Sequence, residues 1–258
     1  MIKLQAYRSI SDEVFHVHTH RCKHASLASD FEYVEKAMEL GAKRIVFTDH
    51  APFPDNPFGN RMLIEELPEY ISSISNLKKE YKKSIEVYCG LEIEYLPSFE
   101  KYYLELKKNE GIALLTLGQH FYEYERGKYS FEDEDNTKEF KGLCQAMVSG
   151  INTGLFDVVA HPDRAFRRCK QLGKSEMELA QDVIRAASEN GVYLEKNYSS
   201  MHKENQYREE FWTLLPPKAM VIYGLDAHSI MEMEEGYEFV KSIKNNKSLR
   251  LYRNKSKV

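Results

Sequence analysis

The sequence predicts an α/β protein built on a parallel sheet, closed or open, and three observations carry that expectation. Apolar, β-rich runs recur along the chain, stretches of helical spacing separate them, and helix-start signals follow histidine-bearing segments. Strands that alternate with helices return to the sheet by crossovers, which leaves neighbouring strands parallel.

The first run covers residues 14–18. After it, Phe31, Val34, Ala37, Met38 and Leu40 outline one amphipathic helical face. The second run, 44–48, precedes a helix whose apolar stripe is Leu67, Tyr70, Ile71, Ile74, Leu77 and Tyr81. Further strands are expected at 85–93, 112–117, 156–160, 192–194 and 220–224. The pattern Ser-x-x-Glu, in which a serine and a glutamate cap a helix reciprocally, occurs at Ser29/Glu32, Ser175/Glu178 and Ser229/Glu232. These sites follow His24, His161 and His228, so histidines are placed at the carboxyl ends of strands. In a (β/α) barrel those ends share one rim, where active sites are built. The longest irregular stretches, 49–63 and 121–136, have the length of loops that cover a site.

At 258 residues, 42% hydrophobic and 29% charged, the chain suits one large domain spanning 1–258. No apolar run approaches a membrane span, and residues 1–12 lack a signal-peptide core, so a cytoplasmic protein without membrane contact is expected. Cys22, Cys89, Cys144 and Cys169 are scattered, which excludes a Cys-x-x-Cys knuckle and favours reduced thiols. A net charge of −4 makes a nucleic-acid partner unlikely on global electrostatics. The end of the chain differs locally: Lys241, Lys244, Lys247, Arg250, Arg253, Lys255 and Lys257 form a basic stretch at 241–258, read as a solvated helix end and tail.

Residues two apart in a strand point to one side, so His16 and His18 can share an ion if 14–18 is extended. The remaining strand ends supply His24, Asp49-His50, Gly90-Leu91-Glu92, Gly118-Gln119-His120, His161-Pro162-Asp163 and Asp226-Ala227-His228. This ordered set, from Val14 to His228, resembles the PHP (polymerase and histidinol phosphatase) family. The resemblance implies a distorted (β/α)7 barrel, TIM-barrel-like, with three divalent transition metals on its carboxyl rim. It implies that His16, His18, Glu92 and Asp226 hold the first ion, that Glu92 bridges to a second completed by His120 and His161, and that His24, His50 and His228 hold the third. Mixed imidazole and carboxylate donors suit Zn, Fe or Mn, and the anions allow two cations to lie close together. The acidic residue that often stands two positions before the first family histidine is Val14 here, which leaves one expected partner of that histidine missing.

The activity implied is phosphomonoester hydrolysis, with L-histidinol phosphate as the leading substrate and hydroxide bridging the first two metals as nucleophile. His20, Asp49 and Asp163 are candidate acid–base residues by position. Arg164, then Arg168 and Arg61, are candidates for phosphate oxygens. Glu195 and Asn197, at the end of the sixth strand, are candidates for lining the pocket and meeting an amine or imidazole. Phosphodiesterase or nuclease action, and a noncatalytic metal- or ligand-sensing barrel, stand as the alternatives. The sequence leaves the oligomeric state open.

Overall fold

Seven strands hydrogen-bond in the order β1 (Glu13–Val17), β2 (Arg44–Phe47), β3 (Glu86–Ile93), β4 (Leu114–Leu117), β7 (Val158–Val159), β8 (Tyr193–Asn197) and β9 (Val221–Gly224), every pair parallel. The computed structural model describes residues 7–132 and 138–255, with side chains described as far as 245. All seven strands expected from the sequence are present. The sheet closes just beyond β9, where Leu225 N donates to Phe15 O (2.8 Å) and Ala227 N to His16 O (3.2 Å). His18 N returns a bond to Ala227 O (2.9 Å). The result is a (β/α)7 barrel, distorted by the two-residue β7 and by a break in the β1–β2 register.

Alternation along the strands separates two apolar cores. Phe15, Val46, Leu114, Val158 and Ile222 form a small cluster with Tyr7, whereas Val14, Val17, Ile45, Phe47 and Val159 join the larger core with the surrounding helices. Helices α1 (Asp30–Glu39), α2 (Leu67–Glu80), α3 (Glu100–Lys108), α4 (Glu139–Asn152) and α5 (Lys174–Asn190) make the crossovers; short α6 (Tyr198–Met201) and α7 (Glu209–Thr213) follow β8, and α8 (Ile230–Lys255) ends the described chain. In α2, Leu67, Tyr70, Ile74 and Leu77 are buried, as their spacing predicts. In α1 the buried face is Asp30, Tyr33, Val34 and Ala37, while Phe31 is turned outward, 47% exposed.

The capping predictions divide. Ser29 and Glu32 form the full reciprocal cap of α1. Ser229 Oγ accepts from Glu232 N (3.1 Å), but the Glu232 carboxylate accepts from His228 N (2.7 Å) instead of Ser229 N. Ser175 does not cap α5: the cap position falls two residues earlier, at Gly173, and the Ser175 hydroxyl bonds Glu176. The stretch 121–136 is not irregular throughout, because β5 (Glu123–Glu125) and β6 (Lys128–Tyr129) pair as a hairpin; residues 133–136 lie outside the described ones. The basic end continues α8 as far as Lys255; the side chains of Lys247, Arg250, Arg253 and Lys255, and all of Lys257, lie outside the described residues. No described helix is long and apolar enough to cross a membrane.

Candidate metal centre

His16 reaches the site by a route that strand alternation does not predict. Simple alternation would group His16 with Val14, on the helix side. Instead, the β1 register shifts between Phe15 and Val17, and His16 takes φ +70°. That bulge turns the His16 ring into the barrel mouth beside His18, with the two Nε2 atoms 3.0 Å apart. His161 (φ +32°) and Asp226 (φ +55°) also occupy the left-handed region. Such conformations cost about 1–3 kcal/mol each in non-glycine residues and persist where the surroundings enforce them.

Glu92, on β3, lies at the centre. Its carboxylate is buried and within 3.0 Å of His161 Nε2, 3.2 Å of His50 Nδ1, 3.3 Å of His16 Nε2, 3.4 Å of His18 Nε2 and 3.6 Å of His120 Nε2. Burial raises its pKa, but the facing His16, His50 and His120 outweigh that and hold it well below the usual carboxylate range. Gly118 makes room for it: a Cβ there would overlap the Glu92 carboxylate. Asp226 Oδ1 stands 3.4 Å from His18 Nε2 and 3.7 Å from His16 Nε2.

Among the described residues five overlapping donor groups have their ligand atoms within 4.8 Å of one another, and three of them together take in all nine expected ligands: His16, His18 and Asp226; Glu92, His120 and His161; and His24, His50 and His228. The ring orientations fit metal binding. In four histidines Nδ1 is engaged: His16 with Glu195 (2.6 Å), His120 with Glu94 (2.9 Å), His24 with Cys22 O (2.7 Å) and His228 with Asp226 O (3.0 Å). A proton held at Nδ1 by an oxygen leaves the Nε2 lone pair for an ion. His228 Nε2 is buried with no hydrogen-bond partner, as a waiting ligand atom would be. Burial, with Arg164 nearby, lowers the His161 pKa to about 4, and burial lowers that of His228 to about 3, so both are neutral at pH 7. His16 and His18 are the opposite case: burial pulls both down, but Glu195 and Glu92 raise His16 well above its usual value, and bonds to Asp226 and Glu92 raise His18 to about 9, so an ion must displace a proton at each.

The other predicted residues separate into cavity and framework. A cavity of about 740 Å³ opens on the rim and is lined by His24, His50, Glu94, His120, Arg164 and His228 among others. Arg164 donates to Asp226 (2.7 Å), Ser200 (2.8 Å) and Asn197 (3.3 Å) through Nε and Nη2, leaving Nη1 without a hydrogen-bond partner among the described residues. Arg61 also lines the cavity, but Glu94 pairs with it bidentately (3.1 and 3.2 Å) and neutralises it. Arg168 is not brought to the cavity; it pairs with Glu139 (3.3 Å) on α4.

Glu195 and Asn197 do not line the pocket. Both are fully buried. Glu195 accepts from His16 Nδ1, His161 N (3.0 Å) and Asn197 Nδ2 (3.0 Å), and Asn197 Oδ1 caps α6 at Ser200 N (2.8 Å). Glu195 thereby gives His16 the carboxylate partner that Val14 cannot. Asp49 is likewise buried, both oxygens accepting from Thr19 (2.7 Å each), which ties the ends of β1 and β2 together. Asp163 is buried behind His161 and accepts from Arg208 N (2.8 Å); burial raises its pKa to about 7. His20 is exposed and outside the cavity lining.

Three contributors were missed by the sequence reading. Glu94 follows Glu92 by two residues on β3, the same spacing that singled out His16 and His18, and it engages both His120 and Arg61. Cys22 groups with His18 and His228 as a further donor set, signalled only by standing four residues after His18. Lys203 also lines the cavity, from a loop that no motif marked.

Imidazoles and carboxylates converging on the carboxyl rim of a (β/α)7 barrel define a barrel with a candidate metal centre. The PHP domain model matches residues 15–199, and the chain belongs to that family. Asp226 and His228 come from beyond the matched segment and join the others only in space. A histidinol-phosphatase of Bacillus subtilis is 27% identical over 257 residues, covering 86% of this chain and 96% of that protein. A Deinococcus radiodurans protein named for the same activity is 31% identical over 160 residues, 57% of this chain; the match spans 59% of that protein's length. Two solved structures share the fold: one from Listeria monocytogenes assigned to the histidinol phosphatases (TM-score 0.73, 19% identity, 88% of this chain and 99% of that one), and histidinol phosphate phosphatase from Lactococcus lactis complexed with zinc, L-histidinol and phosphate (TM-score 0.68, 19% identity, 91% and 94%).

Proposed function

We propose that this chain is a metal-dependent phosphomonoesterase that hydrolyses L-histidinol phosphate to L-histidinol and phosphate, with up to three divalent ions of the Zn, Fe or Mn type held by the three donor groups. The observation that carries the reading is the convergence of five imidazoles on the buried Glu92 carboxylate, with His24, His228 and Asp226 standing around them. The names of the relatives in Bacillus, Deinococcus and Lactococcus support the substrate. Ions bound there supply Lewis acidity, drawing charge from phosphoryl oxygens and lowering the pKa of water.

The chain's own residues do the rest. Glu195, Glu94 and two backbone carbonyls hold four ligand rings in the tautomer that leaves Nε2 free. Arg164, already aligned by Asp226 and Ser200, offers its Nη1 to a phosphate oxygen. Lys203, in the cavity lining and without an ion-pair partner among the described residues, adds positive charge to the same opening.

The test is phosphate release from L-histidinol phosphate by protein reconstituted with Mn, Fe or Zn, run beside single-stranded oligonucleotides. Turnover of the monoester is expected. Cleavage of the oligonucleotide alone would refute the reading, and binding of a phosphorylated ligand without turnover of either would favour a sensor.

A further inference from the structure

We infer that the cavity holds a second subsite, an aromatic wall built by Phe58, Phe121 and Phe131, which takes a ring on the alcohol side of the phosphomonoester and so selects ring-bearing alcohols over ring-free ones. The inference rests on the phosphatase reading and names the part of the substrate that the metal ligands do not touch.

Two loops far apart in sequence build the wall. Phe58 comes from the stretch after β2, and Phe121, Tyr129 and Phe131 come from the β5–β6 hairpin region. Phe58 meets Phe121 at 4.9 Å and Tyr129 at 4.8 Å between ring centres, and Phe121 meets Phe131 edge-on at 5.1 Å. Tyr129 stacks on Phe131 at 5.7 Å with 16° between planes. The first loop is pinned: Arg61, clamped by Glu94, lies over the Phe53 and Phe58 rings at 5.3 and 5.6 Å. The wall is therefore preorganised before any ligand arrives.

Phe131 is the member with a free face. It is 58% exposed although three rings hold its other sides. Among the described residues, seven large apolar side chains are strongly exposed, and Phe131 is the one of them that lines the cavity. An exposed ring fixed by neighbours inside a cavity is a platform for another ring, since offset and edge-on ring pairs gain energy beyond area burial. Charge supports the same orientation. Arg61 is neutralised by Glu94 on the aromatic side, whereas Lys203 has no ion-pair partner among the described residues. The phosphate is drawn toward Arg164 and Lys203, and the ring is left to the phenylalanines.

The experiment compares histidinol phosphate with glycerol 3-phosphate, another ester of a primary alcohol but without a ring, using metal-loaded wild-type protein, Phe131→Ala and Phe131→Tyr. Wild type is expected to favour the ring ester. Phe131→Ala should raise KM for histidinol phosphate roughly three- to tenfold, the range of one ring–ring contact, with kcat and glycerol 3-phosphate turnover unchanged. Phe131→Tyr should restore KM. Because Phe131 is largely exposed, the melting temperature should not move. Equal turnover of both esters by wild type, or equal losses on both in Phe131→Ala, would leave the phosphatase reading standing and overturn the subsite. If wild type releases phosphate from neither, the phosphatase reading fails, and calorimetry with L-histidinol decides the subsite: binding weakened by Phe131→Ala supports it, and no binding to wild type overturns it.

Discussion

Glu195→Gln keeps the shape of a buried side chain and inverts half of its hydrogen bonding. The carboxylate receives three donors, His16 Nδ1 at 2.6 Å and, on the other oxygen, His161 N and Asn197 Nδ2 at 3.0 Å each. An amide has one acceptor oxygen, which can serve His161 and Asn197; its NH2 then faces the His16 Nδ1 proton. His16 relieves that clash by moving its proton to Nε2, the atom that faces Glu92 and Asp226. A protonated Nε2 cannot bind an ion. Losing a charge-assisted hydrogen bond costs about 1.5–3 kcal/mol, which agrees with the roughly 10–100-fold loss of metal affinity typical when the partner of a ligand histidine is removed. Competition with a fluorescent zinc chelator measures the affinity, and steady-state kinetics at saturating metal separates KM from kcat. The expected result is weakened zinc binding with KM for histidinol phosphate unchanged once metal saturates. Unchanged metal affinity with a raised KM would refute the reasoning and return Glu195 to the substrate pocket.

Other outcomes follow from the same geometry. Glu92→Gln should lower bound metal by more than one ion per chain, because the carboxylate borders two donor groups; metal content by mass spectrometry checks this, and loss of a single ion would reject the bridging role. Gly118→Ala should reproduce that defect and destabilise the fold by about 1–3 kcal/mol, since its Cβ overlaps the Glu92 carboxylate; a wild-type melting curve would contradict it. The His24, His50 and His228 group has no carboxylate and lies at the cavity mouth, so a chelator should strip one ion early and the remainder slowly; a single-phase loss would count against the three-group scheme. Asp163 keeps its proton to about pH 7 when folded, against 3.8 when free, so the folded state binds more protons and stability falls as pH rises from about 4 to 7. Asp163→Asn, which retains an acceptor for Arg208 N, should flatten that decline, worth up to about 4 kcal/mol; parallel denaturation curves for both proteins across this range would disprove it.

Much of the candidate site was legible because potential metal donors are chemically conspicuous. Histidine and carboxylate residues at the ends of periodic apolar runs stand out whatever the distances between them, and the nine proposed ligands are brought to one rim. Glu94 was legible by the same two-residue spacing and was overlooked. The framework residues were not legible in this way: Glu195, Asn197, Asp49 and Asp163 look like pocket or acid–base groups in a linear chain, and only the structure shows them buried, with the oxygens of Glu195, Asn197 and Asp49 and one oxygen of Asp163 taken by backbone and side-chain donors.

The sequence by itself determined the succession of strands and helices, the parallel topology and the supply of candidate ligands, because hydrophobic periodicity and residue chemistry are local properties. The tertiary structure alone decided which atoms face the centre. His16 enters through a bulge rather than by alternation, the carboxylate that orients it arrives from β8, 179 residues away, and the barrel closes through backbone bonds beyond β9. Each of these is a contact between distant segments, set by closure of the sheet and by the demand that buried polar groups find partners, and no local pattern encodes it.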